Sequence, residues 1–431
     1  MTARVFMDAL VGQVVGNITS LGSKLDLTSN SHLNAIAGSA NLLLAEGLTL
    51  FQLRQIESDV RWKDHLGFQL ALKLALSRRC CEAIAVPTTL TVVFAMYKET
   101  ERMMSPKHHQ YGEDFIRRKV EQLDWLCADL PLLSWQMEIV DDGCPDGSGA
   151  AASRVIESLR RQEQVQVHYL QDAIDQHHEV VTGLSAVEQS RKGGSVCLGL
   201  ANAYERDPSA THYVCYTDAD LSTHLGQLGL LVQPLVDQKA LVVCGSRREP
   251  QSVVLKEGVR NERGKLFIFL WKKLLPQLNF LVDTQCGFKA FRADLLPHVL
   301  KQRLENQFAF DIELLLRTQL HQADQISKVG IGWIDSDALS TTTDLAPYLS
   351  MLKAIVAMYR QYVPQRADAD AFAALIDDLN ENEWEALLVE MTPFLASHNL
   401  TELLASREVT PERLRQASLS EVNQRETLKV E

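Results

Sequence analysis

The chain has 431 residues, enough for two or three folding units, and its 43 basic and 55 acidic residues give a formal net charge of -12. A 46% hydrophobic fraction with 23% charged residues is typical of a globular protein and excludes a disordered or collagen-like chain. The negative charge, together with the lack of a Lys/Arg run interleaved with aromatic residues, argues against nucleic acid as a partner.

The cysteines and the apolar segments indicate the compartment. The eight cysteines show no CxxC pair and no regular spacing, which favours reduced thiols in a cytoplasmic protein over a zinc site or a disulfide framework. No segment approaches ~20 consecutive apolar residues, and Asp8 and Gln13 interrupt the apolar start, so we expect neither a membrane span nor a signal peptide. Peripheral contact with the inner face of a membrane stays open.

The hydrophobic pattern divides the chain into three predicted domains. Residues 1–85 are rich in Leu and Ala and predict a helical region. In residues 86–344, short β-branched runs (TLTVVFAM, WQMEIV, VQVHYL, HYVCYT and ALVVC) alternate with helical segments. This alternation predicts an α/β fold with a mostly parallel sheet covered by helices on both faces. Residues 345–431 are again expected to be helical.

Two helices of the N-terminal region are predicted from spacing. Leu44, Leu48 and Phe51 fall at i, i+4 and i+7, as on one face of a single helix. The stretch from Leu66 to Leu76 also predicts a helix, although a period of two fits it as well.

Acidic pairs follow two of the predicted strands. Asp141 and Asp142 follow WQMEIV, and Asp218 and Asp220 follow HYVCYT, at the strand ends where such sheets bind ligands. Two carboxylates one residue apart can face one hard cation, so Asp218 and Asp220 are candidate ligands of Mg²⁺ or Mn²⁺. The alternative is a turn with a helix-capping aspartate. Gathering four carboxylates at one edge without a counter-charge would be costly, and either a divalent cation or a base that donates N–H groups to them would relieve that cost.

Two basic segments are candidate phosphate sites. Lys192, Gly193 and Gly194 precede a predicted helix, where glycines let the backbone approach an anion and Lys192 adds a full charge. Arg247 follows ALVVC, where its guanidinium suits a pair of phosphate oxygens. The alternative for each segment is an exposed basic loop.

Other α/β enzyme classes fit less well. A phosphoacceptor receiver domain has its acidic pair after the first strand, whereas here the pair follows the second. A dinucleotide-binding dehydrogenase needs GxGxxG after its first strand, but this strand leads into Tyr97, Lys98 and Glu99. There is no GxxxxGK[ST] segment, and a sugar nucleotidyltransferase would carry its glycine-rich loop after the first strand.

Seven segments in order resemble a known family. They are TVVFAMYKETERM, EIVDDGCPDGS, RKGGSVCLGL, CYTDADLST, VVCGSRRE, DTQCGFKAFRADLL and FAFDIELL. Together they resemble family 2 glycosyltransferases of the GT-A fold, and are most similar to the dolichyl-phosphate and polyprenyl-phosphate glucosyltransferase branch. The likeness covers residues 88–340, and its DTQCGFK and FDIELL segments are more specific than the DxD of Asp218 and Asp220.

The resemblance implies roles for individual residues. Those implied to cradle the nucleoside are Tyr97, Glu99, Asp141 and Asp142. Those implied to approach the donor are Lys192, Gly193 and Gly194, with Asp218 and Asp220 joining a cation to the diphosphate. Those implied to meet phosphate or to line the acceptor and sugar pocket are Arg247, Gln285, Cys286 and Gly287. Asp311 lies where inverting relatives place the acidic general base.

The resemblance implies a metal-dependent, inverting transfer of a hexose, with UDP-glucose as the favoured donor and an unidentified acceptor. One alternative is transfer to polyprenyl phosphate at the membrane surface. Another is a catalytically inactive scaffold that binds nucleotide sugars. The helical regions at the two ends suit homodimerisation, acceptor choice or membrane contact.

Overall fold

The computed structural model describes residues 3–19, 25–255, 261–335 and 347–427. The chain forms two compact units. The first contains Met1–Lys256, Asp283–Gln302 and Arg317–Leu339, and the second contains Glu257–Val282, Arg303–Leu316 and Ser340–Glu431. The predicted domain boundary after residue 344 lies outside the described residues, and the three-domain division stays a prediction.

The strands form a mixed sheet. In the described ranges they are β1 (Thr88–Met96), β2 (Leu133–Asp141), β3 (Val165–Tyr169), β4 (His212–Thr217), β5 (Val242–Ser246), β6 (Val253–Leu255), β7 (Phe288–Arg292), β8 (Ile326–Gly330) and β9 (Gly332–Ile334). Seven of them pair in the order β3-β2-β1-β4-β7-β5-β8, while β6 and β9 pair separately. Only β7 runs antiparallel to its neighbours in the larger sheet. The predicted mixed, mostly parallel sheet of the GT-A type is confirmed.

The helices precede, connect and follow these strands. In chain order they are α1 (Ala3–Thr19), α2 (Asn30–Ala45), α3 (Leu50–Glu57), α4 (Leu66–Glu82), α5 (Thr100–Met103), α6 (Phe115–Cys127), α7 (Ser148–Leu159), α8 (Leu170–Asp175), α9 (Gly193–Arg206), α10 (Leu228–Val236), α11 (Asn261–Leu274), α12 (Leu296–Leu300), α13 (Phe310–His321), α14 (Pro347–Tyr362), α15 (Ala367–Asp378), α16 (Glu381–Ser397), α17 (Leu400–Ala405) and α18 (Pro411–Thr427). The predicted helical regions at both ends are confirmed.

Helices cover both faces of the sheet, as predicted. Val93 and Phe94 are consecutive in β1, so their side chains point to opposite faces. A Cβ added to Gly199 of α9 would lie 2.4 Å from Cγ1 of Val93, so α9 packs closely on that face. On the other face, the rings of Phe94 and Phe115 of α6 are 6.0 Å apart.

One predicted helix of the N-terminal region is wrong. Leu44 belongs to α2, Phe51 belongs to α3, and Leu48 lies between the two helices. Thr49 is the N-cap of the new helix and forms a capping box with Gln52, which satisfies two main-chain N–H groups. The helical spacing of the apolar residues therefore does not continue from α2 into α3. Leu48 is buried, whereas Phe51 is 71% exposed, so these side chains do not share one face. The helix predicted from Leu66 is confirmed as α4.

The second unit is helical where the structure describes it. Its helix α11 packs against α14, α15 and α16. The ammonium of Lys265 on α11 donates hydrogen bonds to the carbonyls of Leu395 and His398, at 2.9 and 3.0 Å. These bonds tie α11 to the C-terminal end of α16.

Candidate active site at the carboxyl edge of the sheet

Three neighbouring parallel strands end at one edge of the sheet in the first unit and place the acidic residues there. β1 pairs in parallel with β2, placing Met96 opposite Asp141 at the last pair of the ladder. β4 runs parallel to β1 on its other side and ends at Thr217. The segments that begin at Tyr97, Asp142 and Asp218 therefore leave the sheet at the same edge.

Asp141 shapes the loop that follows its own strand. Its Oδ1 accepts a hydrogen bond from the main-chain N–H of Cys144 at 2.7 Å, and its Oδ2 accepts one from Gly149 at 2.6 Å. Gly149 lies in the first turn of α7, so this buried carboxylate stabilises the start of that helix. Its contact with a nucleoside stays a prediction.

Asp142 organises the Lys-Gly-Gly loop. Its Oδ1 accepts hydrogen bonds from the hydroxyls of Ser190 and Ser195 at 2.7 and 2.5 Å, and its Oδ2 accepts one from the Lys192 N–H at 2.9 Å. Lys192 has a φ of 82°, a conformation that residues with a Cβ rarely adopt, and Asp142 holds it there. Burial raises the pKa of Asp142, although these donors oppose the rise.

Lys192 joins this loop to the DxD segment. Its ammonium contacts Oδ1 of Asp218, and both side chains are partly exposed. Burial by itself would raise the pKa of Asp218, but the charge of Lys192 holds it below its ordinary value. A Cβ added to Gly287 would lie 2.4 Å from both carboxylate oxygens of Asp218, so glycine is required for this close approach.

Asp220 lies beside a second ionic network. Its Oδ1 accepts a hydrogen bond from the Ser222 N–H at 3.0 Å, and its Oδ2 lies 4.0 Å from the Arg102 guanidinium. Arg102 also pairs with Glu99 at 2.9 Å and with Glu113 at 3.1 Å. Burial raises the pKa of Glu99 to about 7, although Arg102 opposes the rise. The predicted nucleoside residue Glu99 is therefore linked to the DxD segment through Arg102.

Lys119 supports the DxD segment from inside the protein. This lysine of α6 is fully buried, and its ammonium donates to the main-chain carbonyls of Asp218 at 3.0 Å and Asp220 at 2.8 Å. The ammonium also lies 5.5 Å from the centre of the Phe94 ring. Burial lowers the pKa of Lys119 to about 8, although the nearby aspartates oppose the fall.

Arg247 is held by two partners. Its main-chain N–H and its Nε both donate to Oδ2 of Asp283, at 2.7 and 2.9 Å, and its NH2 group donates to Oδ1 at 2.6 Å. The guanidinium carbon lies 4.9 Å from the centre of the Trp333 ring. This two-pronged pairing fixes the guanidinium plane, as Arg–carboxylate pairs do.

The Gln285-Cys286-Gly287 segment lines the same region. Nε2 of Gln285 is buried and has no hydrogen-bond partner among the residues that the structure describes. Cys286 is fully buried, and its carbonyl accepts a hydrogen bond at 2.6 Å from the ammonium of Lys289, another fully buried lysine. A buried amide nitrogen without a partner is costly, and a bound polar group would satisfy it.

The remaining predicted residues are Tyr97, Gly193, Gly194 and Asp311. Tyr97 follows β1 and is 46% exposed. Gly193 and Gly194 are buried in the first turn of α9, where Gly194 lies close to the Ser190 hydroxyl. Asp311 is buried in the first turn of α13, in the second unit.

The donor set of the DxD segment fits a hard divalent cation. Asp218 and Asp220 supply carboxylate oxygens, and the contact of Asp218 with a lysine ammonium shows that positive charge is accommodated there. No group of three or more His, Cys, Asp and Glu side chains forms a metal cage within the described ranges. Two carboxylates suffice for Mg²⁺ when water and phosphate oxygens complete its shell.

Sequence reasoning missed Arg102, Lys119, Asp283 and Lys289. For Lys119 a signal was present, because it is spaced four residues from both Phe115 and Leu123, on the apolar side of α6. A lysine on a core-facing stripe has to find polar partners inside the protein. The partners themselves could not be inferred from that pattern.

Comparison with known proteins gives remote relatives. No family model matches the chain. Glycosyltransferase AglD of Haloferax volcanii is 27% identical over 242 residues, covering 56% of this chain and 32% of that protein. The dolichyl-phosphate β-glucosyltransferase of Homo sapiens is 25% identical over 275 residues, covering 61% of this chain and 72% of that protein. The match thus spans about a third of the archaeal relative.

The chain is therefore a relative of the glycosyltransferases, as predicted from its motifs. It is similar to proteins named dolichyl-phosphate β-glucosyltransferase, from Homo sapiens and Mus musculus, in line with the branch that its motifs resemble. Among solved structures, glucosyl-3-phosphoglycerate synthase from Mycobacterium tuberculosis, in complex with Mn²⁺, UDP and glucosyl-3-phosphoglycerate, is 15% identical with a TM-score of 0.44. That match covers 68% of this chain and 85% of the synthase.

None of the helices in the described ranges combines the length and the apolar character needed to cross a bilayer.

Proposed function

We propose that the chain is an inverting glycosyltransferase that transfers a hexose from a nucleotide sugar, with UDP-glucose as the favoured donor and Mg²⁺ or Mn²⁺ as cofactor. The observation that carries the proposal is the placement of Asp218 and Asp220. Their main-chain carbonyls are held by Lys119, while their carboxylates lie beside the cations of Lys192 and Arg102. This is the arrangement of a segment built to present negative charge to a cationic ligand.

The chemistry assigns distinct tasks to these residues. In the transfer, an acceptor oxygen forms a bond to the anomeric carbon, and the bond from that carbon to the diphosphate oxygen breaks. Asp218 and Asp220 would hold a divalent cation, which would supply charge stabilisation for the leaving diphosphate. Lys192 contributes an ammonium at the same edge, and its main chain is positioned by Asp142. For a hydroxyl acceptor, Asp311 is the proposed base, by resemblance.

The acceptor has two candidates of different chemistry. A hydroxyl acceptor requires a base, worth ~10²- to 10⁴-fold in rate, whereas a phosphate acceptor is already ionised and requires cations. The names of the dolichyl-phosphate β-glucosyltransferase relatives favour polyprenyl phosphate. Arg247, oriented by Asp283 and Trp333, is the cation that we propose for that phosphate.

Ligand-dependent stability tests the donor and the metal. We expect UDP and UDP-glucose to raise the melting temperature only when Mn²⁺ or Mg²⁺ is present. A ligand at ~100-fold excess over its Kd adds ~2.7 kcal/mol to the free energy of unfolding, which makes the shift measurable. Asp220→Ala is expected to abolish the shift, while Asp146→Ala, at an exposed position in the β2–α7 loop, keeps it. An equal shift without metal, or an unchanged shift in Asp220→Ala, would contradict the proposal.

Product formation tests the acceptor and the scaffold alternative. We expect UDP release from UDP-glucose to rise when a short polyprenyl phosphate or liposomes containing it are added, if that phosphate is the acceptor. A rise with hydroxyl compounds alone favours the hydroxyl alternative. Metal-dependent UDP binding with no hydrolysis or transfer to any acceptor would identify an inactive nucleotide-sugar-binding scaffold.

A further inference from the structure

Lys119 is a buried cation outside the residues that carry the proposed chemistry. Its side chain lies on the buried, apolar face of α6, and its ammonium reaches the loop that follows β4. No carboxylate in the described ranges lies within ion-pairing distance of its ammonium. The ammonium instead donates to two main-chain carbonyls, those of Asp218 and Asp220.

This geometry constrains the DxD segment at both of its acidic residues. Because the carbonyls of residues 218 and 220 converge on one donor, the two peptide groups point into the core. The orientation of the main chain then limits the directions that the two carboxylates can take. A buried ammonium is costly unless polar groups surround it, and here the carbonyls of Asp218 and Asp220 are those groups.

We propose that Lys119 is a positioning residue for the metal and diphosphate site. It fixes the main chain of the DxD segment before ligand arrives, so that Asp218 and Asp220 need not be ordered when the cation binds. This inference rests on the proposed function, because it assigns a task at the same site.

A positioning effect and a purely electrostatic effect of Lys119 would change the affinity for Mn²⁺ in opposite directions. Lys119 places a positive charge behind the carboxylates, so its charge alone weakens the attraction of a second cation. If charge were its only effect, Lys119→Met would bind Mn²⁺ more tightly. If it acts by holding the carbonyls, removal frees the segment and Mn²⁺ binding weakens. The sign of the change separates the two effects.

The experiment measures Mn²⁺ affinity by electron paramagnetic resonance of free Mn²⁺, with and without UDP, on the full chain. We expect at least tenfold weaker Mn²⁺ binding in Lys119→Met. Lys73→Met is the control, because Lys73 is also a buried lysine that donates to a main-chain carbonyl, that of Gly330, although it pairs in addition with Glu57. The control removes a buried charge elsewhere and is expected to leave the affinity unchanged.

Unchanged or tighter Mn²⁺ binding in Lys119→Met would overturn the positioning role, and so would an equal loss in Lys73→Met. If Lys119→Met does not fold, Lys119→Arg serves instead. It keeps the charge but displaces the donors, so weaker binding supports the role and unchanged binding overturns it. Failure of the unaltered protein to bind Mn²⁺ with UDP would contradict the proposed function itself.

Discussion

The two acidic pairs look alike in the sequence but are used differently in the structure. The carboxylates of Asp141 and Asp142 accept five hydrogen bonds, from main-chain N–H groups and from the hydroxyls of two serines. Asp218 and Asp220 are instead held by their carbonyls, and their carboxylates lie beside Lys192 and Arg102. The first pair holds loops together, and the second presents charge.

The difference shows how one sheet edge can be both rigid and reactive. Carboxylates that receive neutral donors from the protein stabilise the loops that carry the donors. Carboxylates beside the ammonium or guanidinium group of another side chain can exchange that cation for a cationic ligand. Lys192 contacts both acidic pairs, since its main-chain N–H donates to Asp142 and its ammonium contacts Asp218.

The largest expected effect on stability comes from Asp142→Ala. It removes three hydrogen bonds to a buried carboxylate, which we expect to lower the free energy of unfolding by about 4 kcal/mol. Asp218→Ala removes a partly exposed ion pair and is expected to cost about 1 kcal/mol or less. Urea unfolding of both variants measures the contrast. Equal losses would show that the two pairs do not differ in this way.

The next largest effect concerns Glu99, which pairs with Arg102 beside Asp220. Its pKa of about 7 in the folded protein exceeds the ordinary 4.5, so the folded state holds the proton more tightly. The resulting stabilisation is complete below pH 4.5 and is lost as the pH rises through about 7. Between pH 5 and 8, the unfolding free energy should therefore fall relative to Glu99→Gln, by up to about 3 kcal/mol.

Glu101→Gln is the control for this titration, because Glu101 is 62% exposed and two residues away. The protein with Glu101→Gln should keep the pH dependence of the unaltered chain. Parallel stability curves for the unaltered protein and Glu99→Gln would show that the ion pair with Arg102 outweighs burial.

The third effect, smaller than those of Asp142→Ala and Glu99→Gln, is that of Asp141→Ala. Loss of its bonds to the N–H groups of Cys144 and Gly149 should lower the unfolding free energy by about 2 kcal/mol, as for the loss of a helix cap. Asp146→Ala, in the same loop but exposed, should change it by less than about 0.5 kcal/mol. A loss as small for Asp141 as for Asp146 would indicate that the loop does not depend on this carboxylate.

The sequence by itself determined strands β1 to β5 in chain order, the main helices between them and the positions of the acidic residues at strand ends. All of these depend on local information: the alternation of β-branched runs with helical segments, and residues directly after each run. The same local reasoning failed at Leu48, where a capping box at Thr49 separates two helices. It also did not identify β6 to β9, among them β7, the antiparallel strand that carries Lys289.

Only the tertiary structure decided which groups each carboxylate meets. Ser190 lies 48 residues from Asp142, and Lys119 lies 99 residues from Asp218, so no local pattern links them. Burial raises the cost of leaving a polar group without a partner, and the folded core offers only the few donors that long-range packing brings near. The acidic pairs therefore became distinct through packing, although their sequences at the two strand ends are similar.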